Sequence, residues 1–116
     1  MEKDLHNDIM KEKIKKIAKQ LLKEIGIKQH ISGFRYWLEA LTFVVAKEDE
    51  NNEIKMTNLY LIIAKKYKIT AARVERNMRY AYCNLNLENV FNTNYKINNS
   101  ALLFLLKDEI ITQLYT

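Results

Sequence analysis

The residues best suited to chemistry lie in one short stretch. Arg73, Arg76 and Arg79 fall within seven residues, with Glu75 between the first two, in a chain that otherwise prefers lysine, 15 Lys to 4 Arg. A guanidinium can give two parallel hydrogen bonds to O6 and N7 of guanine, and a carboxylate can accept from N4 of cytosine. Arg73, Glu75 and Arg76 are therefore the candidate base-reading residues of a DNA-binding surface. Lys65, Lys66 and Lys68, just upstream, are placed to meet phosphates. The charge balance agrees: residues 57–83 hold six of the chain's 19 basic residues and one of its 14 acidic ones, leaving 13 of each elsewhere. The whole net charge of +5 sits in that window. The simpler alternative is a solvated helix face with a Glu75–Arg79 ion pair at i, i+4. Such pairs contribute only about 0.3–0.5 kcal/mol, so stability alone gives little reason to gather arginines here.

A helix must present these side chains. At 100° per residue Val74, Met78, Ala81 and Leu85 stack on one face, while Arg73, Arg76 and Arg79 form a slanting row opposite, with Ala72 and Cys83 between them and Tyr80 alongside. The spacing predicts a helix over residues 71–84, capped by Thr70. Before it, Leu59, Ile62, Ile63 and Ala64 predict a helix over residues 59–67, capped by Thr57 or Asn58. Lys68 and Ile69 make a tight turn between the two. Two helices across a three-residue turn outline a helix-turn-helix, whose second helix directs its N-terminal half at base edges. Small Ala72 lets that helix approach closely.

Further helices complete the pattern. Met10, Ile14, Ile17, Ala18, Leu21 and Ile25 form an apolar stripe that Gly26 stops, with a lysine-rich face outward. Leu5 falls off this stripe, so roughly the first eight residues are expected to fray. Ser32 is expected to cap a second helix with Phe34, Trp37, Leu38, Leu41 and Val45 inward, which makes Phe34, Tyr36 and Trp37 core residues rather than a base-stacking platform. Residues 47–55 read as an exposed connection, and the Asn-rich residues 85–99 as irregular with at most a short helix. Ser100 opens a last helix with Leu102, Leu103, Leu106, Ile110 and Leu114 on one stripe. Phe104, Leu105 and Ile111 lie outside it. A helix apolar nearly all round needs burial, either in the core or against another copy, and Leu103, Phe104 and Ile111 are the candidate dimer surface.

Composition sets the frame. A chain of 116 residues with no Pro, two Gly and 48% hydrophobic residues suits a single domain over residues 1–116, all-α, a compact bundle of about five to six helices. No apolar run approaches the roughly 18–20 residues of a membrane span, and no signal-peptide core is present, so a soluble intracellular protein without membrane contact is expected. One cysteine, Cys83, rules out an internal disulfide framework. His6 and His30 lack acidic or Cys neighbours at ligand spacing, so no metal or other cofactor is expected, and His30 reads as structural. No phosphate loop, nucleophile elbow or carboxylate pair appears, and the chain is not expected to be an enzyme.

The run Leu59-Tyr60, Ile63-Ala64-Lys65-Lys66-Tyr67, Thr70-Ala71-Ala72-Arg73-Val74-Glu75-Arg76, with Arg79 and Ala81, resembles the DNA-binding effector domain of the sporulation response regulators, the Spo0A C-terminal family. Glu24-Ile25-Gly26-Ile27, His30-Ile31, Gly33-Phe34 and Leu38-Glu39-Ala40 extend the resemblance upstream, and Lys96 with Asn99-Ser100 extends it downstream. It implies a bacterial cytoplasmic regulator, at the nucleoid when bound, that reads short and often tandem boxes in double-stranded DNA. By position, Arg73, Glu75 and Arg76 match the base-reading part. Lys65, Lys66, Lys68, Thr70, Ala72, Arg79 and Tyr80 form the expected backbone-contacting and supporting set. The last helix matches a segment that can mediate dimer contacts on DNA, which implies a homodimer on tandem sites; a full-length sporulation regulator and RNA polymerase are further candidate protein partners. This chain departs from the family pattern. Ala72 stands for a usual Ser, Tyr80 for a His, and Lys28 and Leu61 for prolines; residues 85–97 are shorter, and residues 1–25 offer only a helix where a receiver domain would precede. The competing reading is a receiver-less interaction protein that modulates a full-length regulator through its last helix.

Overall fold

The apolar repeats become α1 (Glu2–Glu24), α2 (Ser32–Ala46), α3 (Met56–Tyr67), α4 (Ala71–Tyr80), a short α5 (Leu87–Val90) and α6 (Asn99–Leu114), with no strand among the described residues. The computed structural model describes residues 2–47 and 54–116, the first six of these through their backbone alone. Most of the connection read as residues 47–55, and the side chain of His6, therefore lie outside the described residues.

α1 is helical from Glu2, through the stretch where fraying is expected. Ile14, Ala18 and Leu21 of its stripe are buried together with Leu22, while Met10, Ile17 and Ile25 are partly covered. Gly26 ends the helix with φ +105°, a left-handed conformation in which its N–H reaches the Lys23 carbonyl at 3.1 Å and Ile27 N–H reaches Leu22 at 3.0 Å. This double closure satisfies the last carbonyls of the helix.

α2 runs through the middle of the molecule, touching α1, α3, α4 and α6. Its position explains a burial wider than one stripe: Tyr36, Ala40 and Val44 are buried in addition to Phe34, Trp37, Leu41 and Val45, and Leu38 only partly so. Trp37 is fully enclosed, edge-on to Tyr82, and donates its indole N–H to the Met78 carbonyl of α4 at 2.8 Å. The aromatic cluster is thus core. Near the start of α2, Gly33 lies so close to α4 that a Cβ on it would sit 2.5 Å from the Asn77 carbonyl oxygen and 2.8 Å from the Ala81 Cβ.

Several helix starts differ from their sequence expectation. Ser32 does not cap α2; Ile31 is the extended capping residue, and no side chain bonds there. α3 begins at Met56, so Thr57 and Asn58 lie inside it, and Ile62 faces solvent where an inward position is expected. α6 is capped by Asn98, whose Oδ1 accepts from Ala101 N–H at 2.9 Å, which places Ser100 within the helix. Its residues Leu102, Leu103, Leu106 and Ile110 are buried.

The Gly33 contact yields a prediction. Replacing Gly33 with Ala gains up to about 1 kcal/mol of helix propensity, but the added methyl meets a backbone carbonyl that moves only if α4 moves. Overpacking of that kind costs about 1–3 kcal/mol. Gly33→Ala is expected to be net destabilising, by about 1–2 kcal/mol in urea unfolding.

Candidate nucleic-acid interface

α3 and α4 pack against each other across residues 68–70. The turn contains no glycine; Lys68 itself takes the left-handed conformation, φ 57° and ψ 45°. With it the chain closes α3, Ile69 N–H reaching the Ala64 carbonyl at 3.0 Å. Thr70 then caps α4 as its sequence position indicates, Oγ1 accepting from Arg73 N–H at 3.1 Å. α4 is shorter than predicted: it ends at Tyr80, and residues 81–84 are turns. The chain leaves the helix where Tyr82 is drawn into the core beside Trp37.

The inner face of α4 is Val74 and Met78, both fully buried. Its outer face exposes Ala72, Arg73, Arg76, Arg79 and Tyr80, with Lys65, Lys66, Lys68 and Thr70 exposed on α3 and the turn, and Glu75 half-buried at the margin. The predicted residues therefore all reach the surface of the helix-turn-helix, Glu75 only in part. Their electrostatic states differ. Arg79 Nε lies 3.0 Å from Glu75 Oε1, and its guanidinium lies over the Tyr80 ring at 5.1 Å. Lys66 Nζ lies 2.6 Å from Glu39 Oε1, and this bond raises the lysine's pKa. Arg73 and Arg76 have no ion-pair partner among the described residues.

Behind the arginines is a polar network that sequence reading does not reveal. Asn99, buried at the start of α6, accepts at Oδ1 from the Tyr82 hydroxyl at 2.6 Å. Its Nδ2 donates to Tyr60 Oη at 3.0 Å and to the Glu75 carbonyl at 3.3 Å. One side chain thus ties α6 to α3, to the middle of α4 and to the turn after it. Burial first, then the nearby Tyr60, pushes the Tyr82 hydroxyl up to about 12, and burial likewise raises Tyr60. Only the Asn-rich context and the resemblance at Asn99-Ser100 hinted at this position.

The candidate dimer residues divide. Leu103 is 8% exposed and belongs to the core, so it offers no surface for a second copy in this fold; Ile111 is partly buried, and Phe104 is 61% exposed. His30, read as structural, is exposed. Among the described residues no group of His, Cys, Asp and Glu is arranged to hold a metal ion, and no helix is long and apolar enough to cross a membrane.

A basic helix-turn-helix seated on an all-helical body defines a DNA-binding domain of the regulatory kind. Residues 17–110 match the family model described as sporulation initiation factor Spo0A C terminal. The chain belongs to this family, whose domain is the DNA-binding effector part of a sporulation regulator. The match runs from within α1 to within α6, so it covers the whole helix-turn-helix and Asn99.

Two outcomes follow from the network. Asn99→Leu leaves buried hydroxyls and a carbonyl without their partner, and a loss of about 2–3 kcal/mol is expected in chemical denaturation. The tyrosines set an alkaline limit. Tyr82 ionises at a higher pH folded than unfolded (about 10), so its contribution is complete below pH ~10 and is lost as pH rises toward 12. Melting temperature should fall across that window, and Tyr82→Phe should flatten the fall.

Proposed function

We propose that the chain is a sequence-specific DNA-binding transcriptional regulator that lays α4 in the major groove. Arg73 and Arg76 read base edges, with Glu75 at the margin, and Lys65 and Lys68 meet the phosphates, Lys66 being held by Glu39. One observation carries this reading: Arg73 and Arg76 on the outer face of α4 are exposed and, among the described residues, without an ion-pair partner, while Glu75 is engaged by Arg79 and Glu39 by Lys66. A surface built only for solubility has no need to keep bidentate donors free on the one helix that follows a helix-turn-helix turn. Thr70, Ala72 and Tyr80 support the approach, the first by fixing the start of α4, the second by its small size, the third at the edge. Double-stranded DNA is the partner. The domain acts without a catalytic step or cofactor, in the bacterial cytoplasm.

The exposure of Phe104 supports a second surface, on α6, for a second copy on tandem sites, a full-length sporulation regulator or RNA polymerase. In the alternative reading this surface is the whole function, and the chain modulates a full-length regulator without touching DNA.

Binding-site selection on the purified chain, followed by titration of the selected duplex and a scrambled one, separates the two. The regulator reading expects a clear preference for the selected duplex. Arg73→Ala and Arg76→Ala should each weaken that complex by about 1–3 kcal/mol while leaving scrambled-duplex binding little changed. Equal binding of both duplexes by the unaltered chain at moderate salt would sink the regulator reading and favour the α6 one.

A further inference from the structure

The fold withdraws one of the cations expected to face phosphate and supplies another. Lys66 is held by Glu39 at 2.6 Å, so a phosphate must compete with a carboxylate already in place. Beside it, Arg35 on α2 holds its guanidinium carbon 5.7 Å from the centre of the Tyr67 ring, and Lys66 lies 5.7 Å from the same ring. Tyr67 is itself fixed, edge-on to Tyr36 at 5.1 Å and with its hydroxyl directed to Glu39 at 3.4 Å. Arg35 is exposed, and among the described residues it has no carboxylate within ion-pair distance. It is also the one arginine of the chain's four that lies outside α4, and its ring partner, Tyr67, is the last residue of α3, directly before Lys68. A guanidinium resting against an aromatic ring is held in place while its N–H edge stays available, and its fork matches phosphate oxygens.

From this juxtaposition we propose that Arg35 is a DNA-backbone contact, extending the cationic rim of the helix-turn-helix from α3 onto α2. The inference rests on the DNA-binding reading above. It assigns Arg35 a phosphate and no base, so it adds affinity without sequence preference.

The test uses the full chain with Arg35→Gln, which keeps the aliphatic stem over Tyr67 and removes the charge, and with Arg35→Lys. Binding to the selected and scrambled duplexes is measured from 50 to 200 mM salt. Arg35→Gln should bind both duplexes several-fold more weakly, with the preference between them kept. The slope of log K against log salt should become shallower by about 0.9, the value for one lost phosphate contact. Arg35→Lys should restore that slope. A role limited to stacking on Tyr67 would change the melting temperature and leave the slope unaltered. An unchanged slope in Arg35→Gln, with the unaltered chain binding its selected duplex normally, overturns the proposal and leaves the regulator reading standing. A loss confined to the selected duplex also overturns it, because that is the signature of base reading. If the unaltered chain shows no preference between the duplexes, the regulator reading itself fails, whatever Arg35 does.

Discussion

The close approach of α2 and α4 is the constraint on which the interface depends. At Gly33 the two helices meet with no room for a methyl group, and one turn further along Trp37 donates to the Met78 carbonyl. The first contact sets the separation of the helices, and the second sets their alignment. A buried indole N–H without a partner costs roughly 1–3 kcal/mol, so an α4 that slid or rotated would lose that bond as well as its packing. From α6, Asn99 bonds the Glu75 carbonyl, three residues before Met78. α4 is therefore gripped through its backbone by two other helices, without use of the arginine side chains on its outer face.

The acids around the interface give it its character. Six basic residues in the window would repel one another at low salt. Glu75 and Glu39 reduce that repulsion by engaging one cation each, Arg79 and Lys66. What remains is a division between cations tied to the protein and cations open to solvent. Exposed ion pairs contribute little to stability; their larger effect here is to decide which positive charges can be offered to an anion without first giving up a partner.

Features set by neighbouring residues were legible in the sequence, and features set by distant ones were not. Gly26 and Thr70 act where their positions indicate, because a helix stop and an N-cap depend on a few adjacent backbone angles. The arginine row was legible because a 100° repeat on a short helix needs no tertiary knowledge. Ser32, Thr57 and Ser100 have capping chemistry, yet α2 and α3 start after Ile31 and Lys55 with no side-chain cap, and at α6 Asn98, of the same chemistry as its neighbours, takes the position; the backbone path that decides this is set by packing beyond the local run. Leu103 is covered by the helices packed on α6, which the repeat within α6 does not report. The Lys66–Glu39 pair and the Tyr60–Asn99–Tyr82 network span separations of 27, 39 and 17 residues, and no local pattern reports such contacts.

On the proposed reading, the brevity of α4 sets the scale of what the domain can read. Ten residues at 1.5 Å each give a rod of about 15 Å. Stacked base pairs rise about 3.4 Å apart, so that length runs beside only about four of them. A word so short recurs by chance many times in any genome. Under the proposed groove binding, one copy of this helix carries too little information to mark a unique address by itself.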